Sequence, residues 1–148
     1  MSVIQATYKE NIAALQVGQI VTSEPGNVVS RTAAVDIPFG AAVSKDSAGD
    51  RAVHVTTTGD TVVDGVAVIN VAAKSTTGNK YTAGDEAAII RRGAVAVAAS
   101  TAVNAGDPVT VVAATGAFTT GGANIAVAAV WRTTLGAAGI GIIDINLP

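Results

Sequence analysis

Alternation dominates the pattern of this chain. Val53-His54-Val55, Val66-Ala67-Val68 and Val95-Ala96-Val97 carry the two-residue period of a β-strand. Short apolar runs accompany them: Ala87-Ala88-Ile89-Ile90, Val109-Thr110-Val111-Val112 and Ile140-Gly141-Ile142-Ile143, each bounded by Gly, Asp, Pro or Thr. Runs this brief suit strands rather than helices. They predict strands near 19–23, 28–35, 41–44, 51–57, 62–72, 85–92, 94–99, 108–113, 125–132 and 140–146. Only residues 8–16, where Ile12 and Leu15 stand at i and i+3, have the spacing of a helical turn or two. The close spacing of turn signals fits an all-β fold, either a small β-sandwich of jelly-roll type or a β-barrel. Residues 1–18 precede the first clear turn-and-strand unit. The expected organisation is therefore an extended N-terminal arm, 1–18, followed by a single all-β domain, 19–148.

One local pattern recurs. Ala48-Gly49-Asp50, Ala83-Gly84-Asp85 and Ala105-Gly106-Asp107 each precede a predicted strand, and Gly59-Asp60 is a shortened version. Gly supplies a positive φ and Asp accepts from nearby backbone N–H groups, so the unit reads as a turn that launches a strand. Calcium ligation by these aspartates would need six to eight convergent oxygens. Neither an EF-hand loop nor a Gly-rich nonapeptide repeat is present to gather them.

Composition sharpens the strand reading. The 148 residues include 30 Ala and 16 Gly, nearly a third of the chain, so the core is built from small pieces. Val and Ile number 22 and 12 against three Leu, and Thr adds 17, a β-branched excess that favours strands. Small side chains bury little area, which predicts a thin core and a protomer that gains from sharing apolar surface with other copies. The absence of Cys removes disulfides, thiolate metal sites and cysteine nucleophiles. A net charge of −2 without a basic block is not the profile of a nucleic-acid binder. Mean hydropathy is +0.48, yet no apolar run approaches the roughly 20 residues of a spanning helix. Lys9 and Glu10 stand where a secretory h-region would be, so the chain reads as soluble and intracellular in origin, with no membrane partner.

No catalytic constellation emerges. The single histidine, His54, sits mid-strand between Val53 and Val55 and is expected to face solvent or an interface. No Gly-x-Ser-x-Gly elbow accompanies it. Asp85 and Glu86 are adjacent, hence on opposite faces of a strand. The stretch from Thr119 to Ala123 lacks the Gly-Lys-Ser/Thr ending of a phosphate loop. The expectation is a non-enzyme without cofactor or metal. Candidate interaction residues remain. Arg91 and Arg92 could simply reach solvent at a strand end, or could donate to an acidic partner surface. In the arm, Val3, Ile4, Tyr8, Ile12 and Leu15 are apolar or aromatic without strand alternation, and would be buried against a partner or, alternatively, fold back as the first strand of the chain's own barrel. Trp131, the only Trp, reads as a core plug more than a ligand platform.

An ordered series of fragments adds to this reading. Gly26-Asn27-Val28-Val29-Ser30-Arg31-Thr32-Ala33, then Ile37-Pro38-Phe39-Gly40-Ala41-Ala42-Val43, resembles the structural cement proteins of tailed phages. The resemblance continues through Asp64-Gly65-Val66-Ala67-Val68, Tyr81-Thr82-Ala83-Gly84-Asp85 and Arg92-Gly93-Ala94-Val95-Ala96-Val97. It ends with Ala105-Gly106-Asp107-Pro108-Val109 and Gly116-Ala117-Phe118-Thr119, so that it spans most of 17–146 in order. It implies an all-β subunit, made in the host bacterial cytoplasm, that binds the assembled major capsid protein from outside and stabilises the head. The expected partners are the major capsid protein and other copies of the chain, as a homotrimer or alternatively a homodimer. A β-rich tail or receptor-binding component is an alternative reading. A carbohydrate-binding sandwich is another, though five aromatics in all leave little for a sugar platform.

Overall fold

The computed structural model describes residues 15–21, 26–70 and 78–148. Eleven strands follow one another: β1 (Asn27–Ala33), β2 (Ile37–Pro38), β3 (Ala42–Lys45), β4 (Ala52–Val55), β5 (Gly65–Ala67), β6 (Lys80–Tyr81), β7 (Glu86–Ala99), β8 (Pro108–Val112), β9 (Ala117–Thr119), β10 (Ile125–Trp131) and β11 (Gly139–Asn146). No helix occurs among the described residues, as the β-branched composition implies.

The pairings close into two rings that share one strand. In the first ring β7 pairs with β5, β5 with β3, β3 with β4, β4 in parallel with β1, and β1 back with β7. In the second, β7 pairs with β11, β11 with β10, β10 with β8, β8 with β9, and β9 returns in parallel to β7 at Ala99↔Phe118. The fold is barrel-like, which decides between the sandwich and barrel expectations. Closure leaves few open edges on the main sheet. The small pair β2–β6 lies outside the rings, with Ile37 opposite Tyr81.

The shared strand was expected as two, broken at Gly93. It is instead one strand of 14 residues with an irregularity in the middle. Asn27 faces Arg92 while Val28 faces Ile90, so Arg91 is the extra residue of a bulge. A bulge lets the strand bend without losing its partners, and so one strand can serve two rings. Of the strand expected at 19–23, residues 19–21 are described and form a bridge, Ile20↔Val95, beside the same part of β7. It is held by Gly18 N–H to Ala96 O at 2.7 Å and Val21 N–H to Ala94 O at 3.0 Å. Of the strand expected at 62–72, only 65–67 is strand within 62–70; residues 71–77 lie outside the described set.

Two apolar clusters fill the structure. One gathers Ala33, Val43, Val53, Ala67 and Ile89 from the first ring and is capped by Phe39 and Tyr81. Those two rings meet edge to face at 5.1 Å and 74°. The other cluster holds Val95, Val97, Val111, Phe118, Ile143 and Ile145 around Trp131. Trp131 is 1% exposed, and its indole N–H donates to Thr119 O at 3.1 Å. It is the core plug expected of it.

The recurrent turn has one geometry at three sites. Asp85 N–H donates to Thr82 O (3.0 Å) while the Asp85 carboxylate accepts from Thr82 N–H (2.9 Å). Asp107 repeats both bonds with Asn104, and Asp60 repeats them with Thr57. The intervening glycines have φ of +95°, +96° and +103°, the backbone of a type II turn. Gly49-Asp50 departs from the pattern: Gly49 has no positive φ, and Asp50 meets Lys45 at 3.8 Å.

Candidate functional site

The one histidine is committed to structure. His54 Nε2 lies 2.9 Å from Asp60 Oδ2, and Nδ1 approaches Asp46 Oδ2 at 3.0 Å without hydrogen-bond alignment. Its side chain is 18% exposed, so the expectation that it faces solvent or an interface gives way to burial between two carboxylates. Each carboxylate is in turn held by a turn amide: Thr57 N–H donates to Asp60, and Ala48 N–H to Asp46. The nearby hydroxyls of Ser44 and Thr56 lie 2.8 Å apart and bond each other, and Ser44 also donates to Val62 O. The cluster fastens the β3–β4 and β4–β5 loops together. Among the described residues, no group of three or more His, Cys, Asp or Glu could hold a metal.

Other polar groups are similarly occupied. The hydrogen bond from Lys80 holds the Asp36 carboxyl below its ordinary range, helped by the Ala83 N–H and the Lys80 charge. Burial raises Tyr81 above its ordinary 10.0, against a smaller lowering by the Ala88 backbone bond. The Tyr81 hydroxyl donates to Val68 O at 2.7 Å. No helix among the described residues is long and apolar enough to cross a membrane.

The bulge sends Arg91 and Arg92 to different fates. Arg91 turns to Asp64, donating from Nε to its carbonyl at 3.2 Å and placing Nη2 3.7 Å from its carboxylate. Arg31 Nε holds the same carboxylate at 3.1 Å, so Asp64 clamps two half-buried guanidiniums. Arg92 is exposed and donates from Nε to Asn146 Oδ1 at 2.9 Å. The adjacency of the two arginines in sequence did not disclose this division. Neither Asp64 nor Asn146 carried a signal of its own, because the pairings span 27 and 54 positions.

Leu15 is half-buried and lines a trough of about 260 Å³ with Val17, Phe39, Asn79 and Ile140. A second hollow of the same size continues past Val17 and Phe39 to Pro38, Ala98 and Ala117. Val3, Ile4, Tyr8 and Ile12 lie outside the described residues. Further along β11, Ala128, Ala129, Val130, Asp144 and Asn146 line a shallow hollow of about 300 Å³.

Among the described residues most charged side chains pair within the chain, and small apolar hollows are left at the surface, an arrangement suited to contact. Comparison with known families decides which contact. Residues 4–146 match the family described as structural cement protein (E217 gp24/Pam3 gp6). The chain belongs to the phage structural cement proteins. Two solved structures share its fold. One is described as the capsid of Myoviridae phage XM1, at 20% identity and TM-score 0.74, covering 99% of this chain and 98% of that one. The other is the head fiber gp8.5 N base of bacteriophage phi29, at 15% identity and TM-score 0.53, covering 81% and 93%. No curated protein matches the chain. The role is that of a virion-associated cement protein of the phage capsid, a structural part of the particle.

Proposed function

We propose that this cement protein binds the outer surface of the assembled major capsid protein lattice and stiffens it against heat and internal pressure. The family match over 4–146 carries the reading. The internal pairing of most described charges supports it, since it leaves mainly surface to bury. A protein that binds only the assembled lattice stabilises it by mass action, and many repeated sites add together.

The arm, 1–18, supplies attachment through Val3, Ile4, Tyr8, Ile12 and Leu15, while Arg92 flanks the contact and Arg91, held by Asp64, supports it from within. Copies cluster as homotrimers at three-fold and quasi-three-fold positions, with homodimers at two-folds as the alternative. Neither nucleic acid nor membrane is a partner, no cofactor is required, and synthesis is in the host bacterial cytoplasm. Co-sedimentation with undecorated shells and with isolated tails tests the reading. Binding to shells alone is expected; binding to tails alone overturns it. Gly18 is bonded to Ala96 and Ile69, so the informative truncation begins at Leu15. That protein should melt like the full chain and lose shell binding. Undiminished binding removes the arm from the account.

A further inference from the structure

We propose that Arg92, together with the hollow beside Asn146, is the surface through which this protein grips a carboxylate-bearing patch on the shell protein. The inference rests on the cement reading above and deepens it.

The cations show a pattern. Among the described residues Arg31, Lys45, Arg51, Lys80, Arg91 and Arg132 each have a carboxylate partner within the chain. Among the same described residues Arg92 has none, although it stands at the point where the two rings join and pairs across β7–β11 with Asn146. Its hydrogen bond uses Nε and the amide oxygen of Asn146, which fixes the plane of the guanidinium. Nη1 and Nη2 are left as a fork, and two parallel N–H donors match the two oxygens of a carboxylate. Holding the fork in place beforehand lowers the ordering cost of binding.

Its surroundings fit the same use. Asn146 and Asp144 alternate onto one face of β11, and Val130 is the cross-strand partner of Asp144. Val130 is 44% exposed, and beside it Ala128 offers a small apolar floor. Asp144 is neutralised by Arg132, so the local excess charge belongs to Arg92. An apolar floor beside an oriented, unneutralised guanidinium has the chemistry of an interface anchor. Covering that guanidinium with a surface lacking a carboxylate would strand a charge, so the complementary patch must supply one.

The test is co-sedimentation of the full-length protein with undecorated shells of its own phage, with melting followed in parallel. Arg92→Glu should weaken shell binding at least tenfold with an unchanged melting curve. Arg92→Lys, which keeps the charge but loses the fork, should show an intermediate loss. Lys45→Glu makes the same charge change at an exposed position on the first ring and should bind as the parent does. If the parent binds and Arg92→Glu binds equally well, the anchor is wrong and the cement reading stands. If Lys45→Glu loses as much as Arg92→Glu, general charge explains the effect and the anchor is again wrong. If the parent itself fails to bind shells, the cement reading falls and takes the anchor with it.

Discussion

Trp131 and Gly141 offer a quantitative test of how the second ring is built, and that ring carries the proposed anchor face. A Cβ at Gly141 would lie 3.0 Å from Trp131 Cζ3 and 3.2 Å from Leu135 Cδ1, with Trp131 almost fully buried. Gly141→Ala therefore overpacks a site that cannot easily yield, at a cost of about 1–3 kcal/mol. Trp131→Ala removes the largest core side chain and its bond to Thr119 O, which costs about 3–5 kcal/mol. In the double variant the added methyl enters the space the indole has left, so most of the Gly141→Ala penalty disappears. The coupling should favour the double variant by about 1–2 kcal/mol over the sum of the singles. Urea unfolding followed by far-ultraviolet circular dichroism measures all four corners of the cycle; tryptophan fluorescence cannot, because Trp131 is the only Trp. Additivity within about 0.5 kcal/mol would refute the claim that Gly141 is small because Trp131 lies against it.

Three further outcomes are expected. A Cβ at Gly40 (φ +80°) would meet Val17 Cβ at 2.6 Å, whereas one at Gly84 (φ +95°) meets nothing. Gly40→Ala should therefore lose at least about 1 kcal/mol more than Gly84→Ala in urea unfolding, and equal losses would contradict the packing of residues 17–18 there. Asp64→Ala leaves Arg31 and Arg91 without their shared partner and should cost about 1–3 kcal/mol, with Asp64→Asn intermediate; an unchanged midpoint would contradict the clamp. Tyr81 is raised above its ordinary 10.0 by burial, so the neutral phenol is favoured in the fold. Its contribution is complete below pH 10 and declines as pH rises through 10 toward the folded value. Tyr81→Phe should flatten that part of the alkaline stability profile, and an identical slope would contradict it.

Local chemistry was legible in the sequence and distant pairing was not. The Gly-Asp turns could be read directly, because their bonds join residues three apart; Gly49 shows the limit, since its neighbours draw Asp50 elsewhere. The all-β class followed from the β-branched excess. Gly93 invited a break between two strands, but pairing with β11 on one side and β1 on the other carries β7 straight through. The very short β2, β6 and β9 are defined by partners and packing more than by their own pattern. His54 was placed in a strand correctly, while Asp46 and Asp60, brought to it by two loops, could not be paired with it in advance. The two arginines were marked as interaction residues. Only the bulge assigns one inward and one outward.

The central claim is that this chain cements a phage head, and heat release of the genome tests it most directly. Heads lacking the protein are heated beside the same heads after purified protein has been added back, with DNA release followed by a dye that the intact shell excludes. The account predicts release at a higher temperature from decorated heads, with shell diameter unchanged. Release at the same temperature from both, with the added protein bound, would contradict it.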